Sequence, residues 1–291
     1  AIGTGPINVR AYGAKGDGTT DDTAAIAAAI AAVPTAGGSV YFPPGVYRAY
    51  IQVHRGNIVL FGDGSGVVTI KLPDNCPFVT WPLNTLGPLS GLPSVIDVGT
   101  IGGNQVAPAW PITVFTPHVG IFGLTLDGNK SATTGDAVSD LYGWGLAFCQ
   151  AVEHRFDDIV VQNCHNGSVG VFINSNYGVG SCVSHDCGTT YHNPGFDVNS
   201  CYYGIYDVVS HDDYLGVRLL DNCRGIQLRA SIYNATKVGC HLSASNGNLA
   251  RNNSVDVLID SGCADAGLVM AGDFSNSRVR ACVDTVAGFA V

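Results

Sequence analysis

In the second half of the chain, apolar and polar residues alternate in short runs, most of them led by glycine. The copies are Gly145-Leu146-Ala147-Phe148, Gly170-Val171-Phe172-Ile173-Asn174, Gly195-Phe196-Asp197-Val198-Asn199, Gly216-Val217-Arg218-Leu219, Gly239-Cys240-His241-Leu242-Ser243, Gly267-Leu268-Val269-Met270 and Gly288-Phe289-Ala290-Val291. Successive glycines lie 21 to 28 residues apart. A second run sits between each pair, as in Asp158-Ile159-Val160-Val161-Gln162-Asn163 and Gly204-Ile205-Tyr206-Asp207-Val208-Val209. A period of two with β-branched residues, closed by Asn, Asp or Gly, predicts strand and turn. Like strands at uneven spacing predict coils of one solenoid with turns of varying length. No amphipathic helical run separates them, which argues against a leucine-rich repeat. The predicted fold is all-β, a parallel β-helix, right-handed because parallel crossovers nearly always are.

The rest of the chain fits one domain over 1–291. Residues 1–35 predict an N-terminal cap with a short α-helix, in which Asp21-Asp22 start the helix and Ile26 and Ile30 form its apolar stripe. Residues 36–72 predict the first coils. Residues 73–117 break the pattern with eight prolines, Trp81 and Trp110, and predict a long excursion that could wall a cleft or pack on the solenoid. Residues 118–291 predict regular coils. The sequence stops inside a strand pattern, so a polar cap is expected from a further segment or a neighbouring copy.

Composition narrows the function classes. The 291 residues are 46 % hydrophobic and carry a formal net charge of −9 with only 14 Lys and Arg, which argues against nucleic acid as a partner. No apolar run is long enough to cross a bilayer, so no membrane insertion is expected. The ten cysteines form no CxxC pair, which argues against a zinc or iron–sulfur site and leaves stacked buried thiols or inter-coil disulfides. No metal site is predicted and no cofactor is required, though Ca²⁺ remains compatible with the sequence.

The N-terminal stretch Ile7-Asn8-Val9-Arg10-Ala11-Tyr12-Gly13-Ala14-Lys15-Gly16-Asp17-Gly18, with Asp21-Asp22 and Gly38-Ser39-Val40-Tyr41-Phe42-Pro43-Pro44-Gly45-Val46-Tyr47, resembles the pectate-lyase-type β-helix superfamily. Leu124-Thr125-Leu126-Asp127-Gly128-Asn129 is similar to its alginate C5-epimerase branch. That resemblance implies action on a polysaccharide by a lyase, epimerase, glycosidase or phage tailspike depolymerase. It implies a secreted or virion-surface protein, monomeric if a secreted enzyme and homotrimeric if a tailspike. Gly195-Phe196-Asp197 resembles the epimerase active-site stretch, in which Gly-Phe is followed by Asp-Pro-His-Glu. Here Val198 and Asn199 stand at the proline and histidine positions, and Pro194 at that of the preceding tyrosine.

Strand alternation sets the candidate site. The residue after each glycine should point inward and the next one outward. Stacking the coils then predicts an outward column of Ala147, Phe172, Asp197, Arg218, His241 and Val269. Beside it runs a second column of Cys149, Asn174, Asn199, Leu220, Ser243 and Ala271. The candidate catalytic residues are Asp197, Arg218 and His241. Arg218 would neutralise a uronate carboxylate, His241 would take a C5 proton, and Asp197 would stay ionised or act as acid. Phe172, Asn174, Asn199 and Ser243 are candidate substrate-binding residues, with Tyr191 and His192 reaching over from a nearby turn. The same residues would also make a surface ladder of offset charges. His185-Asp186 and His211-Asp212-Asp213 form a second repeated pair, predicted to stack at coil ends.

Overall fold

The computed structural model describes residues 5–76, 79–81, 89–91, 94–99, 115–132, 143–172, 174–188, 194–260 and 262–284. Two long parallel sheets share the chain between them. The first runs from Ile7–Asn8 through Gly38–Phe42, Ile58–Gly62, Val119–Asp127, Arg155–Gln162, Val179–His185, Ile205–His211, Gln227–Tyr233 and Ser254–Asp260 to Arg278–Val283. The second runs from Ile51–Val53 through Ile96–Gly99, Leu146–Cys149, Val169–Phe172, Pro194–Asn199, Leu215–Leu220 and Val238–Leu249 to Ala266–Asp273. The chain visits the sheets alternately, so each visit to both is one coil. This is the right-handed parallel β-helix the sequence predicts.

Each coil turns at residues forced into left-handed backbone. One corner holds Asn129, Asn163, Asp186, Asp212 and Asn234 at φ between 51° and 58°. A second, after the second sheet, holds Gln150, Asn174, Ser200 and Asp221 at φ 56–57°. Short polar side chains tolerate this region, which is why Asx residues punctuate the repeat. The backbone ladder continues around the corners, as in Asp221 N–H to the Ser243 carbonyl at 2.7 Å and Tyr203 N–H to the Arg224 carbonyl at 2.8 Å.

The core is the set of inward columns. Ile159, Cys182, Val208, Ala230 and Val257 pair rung by rung in the first sheet, and Phe148, Val171, Val198, Leu219 and Leu242 in the second; all are buried. His154 is buried among Phe148, Phe156 and Tyr206, with Nε2 3.2 Å from the Tyr206 hydroxyl. Burial pushes its pKa down to about 4, so it packs as a neutral ring.

The expected helix is Thr23–Ala31, with Ile26, Ala29 and Ile30 buried. It lies against the turn Val9–Tyr12 and against Ile51–Val53, the edge strand of the second sheet. The two aspartates divide the work. Asp21 accepts the Thr23 N–H at 2.9 Å, whereas buried Asp22 accepts Lys15 N–H at 2.7 Å and Gly16 N–H at 3.1 Å, tying the entry loop to the helix. The segment 73–117 is not wholly an excursion. Within it Ile96–Gly99 is an ordinary coil strand of the second sheet, and Val79–Trp81 pairs antiparallel with Leu89–Gly91. Its prolines masked a strand that alternates like the others. The terminal motif at 288–291 lies outside the described residues.

Nine of the ten cysteines are buried as thiols, and Cys282 is exposed. Burial raises Cys149, Cys223 and Cys240 each to about 12, so these thiols are inert near neutrality, and the buried cysteines pack as small apolar groups. A thiol reagent at neutral pH is therefore expected to titrate Cys282 alone in the native protein and all ten cysteines in denaturant. A native count of several thiols would contradict this packing.

Candidate active site

The pairing places Asp197, Arg218 and His241 on three consecutive rungs of one outward column. Arg218 grips Asp197 with a two-pronged fork: Nε donates to Oδ1 at 3.1 Å and Nη2 to Oδ2 at 2.7 Å. The third nitrogen, Nη1, bonds to no described residue. Asp197 is fully buried and Arg218 is 3 % exposed, so the expected exposed charge ladder is corrected: this is a buried pair. A buried carboxylate and guanidinium justify their desolvation only when geometry is good, and this fork is the favourable geometry. His241, half-buried, is the next rung, on the following coil.

The register corrects two neighbours. Gly145, Gly195, Gly216, Gly239 and Gly267 share one column, but Gly170 lies two residues late, with Ser168 in its place. The Asp197 column therefore holds Gly170, and Phe172 stands one column over with Cys149, Asn199, Leu220 and Ser243. Asn174 is not in a strand; it makes the corner at φ 57°, with its N–H on the Ser200 carbonyl at 3.0 Å. A two-residue slip preserves the in–out alternation, so inward residues stayed inward. The Phe172 ring nonetheless leans back over its neighbour. A methyl on Gly170 would meet it at 2.1 Å, so only glycine lets the ring lie beside Asp197. Trp144 meets Phe172 edge-on at 5.0 Å, and with Ala147 and Cys149 they form a small apolar cluster outside the main core. Asn199 is buried and accepts the Ser200 hydroxyl at 2.9 Å; Ser243 is half-buried. Tyr191 and His192 lie outside the described residues.

Two buried carboxyl groups in or beside the column were not among the sequence-predicted site residues. Asp97 lies in the Asp197 column three rungs earlier and is buried. Burial raises its pKa to about 6, partly offset by nearby Ser94. Its signal was legible, because Ile96-Asp97-Val98 repeats Phe196-Asp197-Val198. Asp213 turns into the solenoid and accepts the hydroxyls of Ser184 and Ser210, each at 2.7 Å, and the Cys187 N–H at 2.9 Å. Burial raises it to about 6 as well. It backs the site strand closely: a methyl on Gly195 would meet its Oδ2 at 2.2 Å. The predicted His pair does stack: the rings of His185 and His211 are 4.9 Å apart and 7° from parallel, each with Nδ1 on the following aspartate. Among the described residues no three His, Cys, Asp or Glu side chains converge as a metal site, and no helix is long and apolar enough to cross a membrane.

Parallel coils stacked in this way define a class, the right-handed parallel β-helix proteins. Residues 6–241 match the family described as rhamnogalacturonase A/epimerase, pectate lyase-like, and the chain belongs to it. Among curated proteins it is 36 % identical over 138 residues to alginate lyase 7 of Azotobacter vinelandii, covering 44 % of this chain and 13 % of that protein. It is 27 % identical over 277 residues to mannuronan C5-epimerase AlgE2 of the same organism, covering 88 % of this chain and 24 % of that one. The chain thus spans a quarter or less of the curated relatives it matches. In fold it is similar to the A-module of Azotobacter vinelandii AlgE6, at TM-score 0.67 and 22 % identity over 93 % of this chain and 69 % of that one. It is also similar to an exopolygalacturonase from Thermotoga maritima, at TM-score 0.65 and 15 % identity over 94 % of this chain and 78 % of that one.

Asp97 and Asp213 make stability fall with rising pH. Each keeps in the folded state a proton that the unfolded carboxyl loses near 3.8. The folded state is thus favoured below about 4, and the advantage disappears as pH rises through about 6. Each group can contribute up to about 3 kcal/mol to this change. Asp97→Asn should flatten the fall in thermal midpoint between pH 4 and 7; an unchanged slope would mean Asp97 titrates as in water.

Proposed function

We propose that the protein processes a uronate-containing polysaccharide, by lyase-like β-elimination or by C5 epimerisation, outside the cell or on a virion surface. The observation that carries this reading is the Asp197–Arg218 fork in register with His241. Removing the C5 proton of a uronate places negative charge on its carboxylate, so catalysis needs a fixed cation there and a base beside it. Asp197 fixes Arg218 in a single orientation and so acts as a positioning residue rather than an acid. Arg218 retains Nη1 to meet the sugar carboxylate. His241 is the group on the next rung that can carry the proton. In elimination the electron pair left at C5 expels the oxygen on C4; in epimerisation a proton returns to C5 from the opposite face.

A hydrolase needs two carboxyl groups no more than ~9.5 Å apart. Asp97, the other carboxylate in the column, is three rungs from Asp197, roughly 14 Å at ~4.8 Å per rung. The burial of the pair supports a second reading, a glycan-binding spike module without turnover, which would be a homotrimer where a secreted enzyme is a monomer.

The test is incubation with uronate and neutral polysaccharides, reading ultraviolet absorbance, reducing ends and C5 proton exchange together. Absorbance rising with reducing ends supports elimination, and exchange without new ends supports epimerisation. New reducing ends alone point to hydrolysis and sink the proposal; retention with no chemistry leaves the spike reading. His241→Ala should keep the fold and polymer binding and lose turnover. Asp197→Ala strands the Arg218 charge in a buried site and should cost about 3–5 kcal/mol of stability.

A further inference from the structure

The third corner of each coil, which leads from the second sheet back to the first, carries an exposed aromatic and cationic ledge. Its left-handed position is taken on successive coils by Asn57, His118, Glu153, Tyr177, Tyr203, Gly225, Asn252 and Asn276. Asn and Gly suit that backbone. Tyrosine does not, and its cost is normally recovered by burial or by function. Here Tyr177 and Tyr203 are 55 % and 57 % exposed, so burial does not recover it. The two rings stack at 5.3 Å and 16°, and the Tyr203 ring continues over Gly225, where a methyl would meet it at 2.8 Å.

Cations adjoin the rings. Tyr202, Arg224 and Arg251 bridge one another on three consecutive rungs, and the Arg224 guanidinium sits 5.7 Å from the Tyr202 ring. Arg224 and Arg251 are exposed, and neither forms an ion pair with a described residue. Like charges on adjacent rungs repel, in a chain whose formal net charge is −9 and which has carboxylates to spare. Two arginines with no ion pair among the described residues, beside two strained, stacked, exposed tyrosines, match a chain molecule with apolar ring faces and repeated negative charge.

We infer that this ledge is a second binding surface for a linear acidic polysaccharide, distinct from the Asp197–Arg218 face and without chemistry of its own. Sugar faces stack on Tyr177 and Tyr203, and acidic groups further along the same chain meet Arg224 and Arg251. The inference rests on the proposed function only for the class of ligand. It adds a hold on the polymer that survives when the reacting unit leaves the other face.

The test uses substitutions the fold itself prefers. Tyr177→Asn with Tyr203→Asn places in both coils the residue used at Asn57, Asn252 and Asn276, so the thermal midpoint should hold or rise. Affinity for polygalacturonate, measured by affinity electrophoresis against dextran as the neutral control, should fall about tenfold, a loss of about 1.4 kcal/mol. Arg224→Gln with Arg251→Gln should weaken binding similarly and reduce its salt dependence. The idea is overturned if the double asparagine variant binds as tightly as the parent, or if the parent does not prefer polygalacturonate to dextran. Turnover of short uronate oligomers, assayed on the same variants, should be unchanged. His241→Ala tests the other face, and its loss of turnover with polymer binding intact keeps the two outcomes apart.

Discussion

Everything in this molecule depends on the inter-coil backbone ladder. Parallel pairing fixes each residue to one partner on the coil before and one on the coil after, at ~4.8 Å. The core, the corners and the polar column are all consequences of that register. Val198 packs because it lies between Val171 and Leu219; Arg218 meets Asp197 because Gly216 lies beside Gly195. The side chains provide burial, but the ladder decides which of them are neighbours. Left-handed corners keep it continuous, since one residue at φ near 55° redirects the chain without breaking the hydrogen-bond sequence.

The polar column then follows from ordinary electrostatics. Charges stacked at rung spacing must alternate or pair. On the outer face of the first sheet, Asp207, Arg229, Asp256 and Arg280 alternate along one column in the open, with separations of 3.8–4.0 Å within its two ion pairs. On the second sheet the same device is buried and tightened to 2.7 Å, which turns a solvated ladder into an oriented guanidinium. The difference between the two faces is one of environment rather than residue type.

The fold was legible because its signal is repeated: seven glycine-led runs in the sequence, each weak alone, support one another. The Asp197–Arg218–His241 alignment was legible for the same reason. The errors came where the repeat is broken. Gly170 looked like its fellows, yet one coil reaches its strand two residues early, and Phe172 and Asn174 were placed one step off. Ile96–Gly99 was hidden among prolines, although its Asp-Val pair matched the site strand. Burial of the column could not be read at all, because alternation says which way a side chain points and not what lies beyond it. Asp213 looked like a turn residue, and only the tertiary structure shows it filling the space left by Gly195.

The two-residue offset at Gly170 also bears on how such a face can change. In most folds a new neighbour for a side chain requires a substitution. Here lengthening or shortening a turn by two residues slides one strand along its partners, keeps every apolar group in the core, and gives each outward residue a different companion. Asp197 faces glycine on one side and arginine on the other, because the neighbouring strands start at different points. Indels in turns, usually treated as neutral loop variation, thus become a means of rewriting a polar face without altering any residue on it.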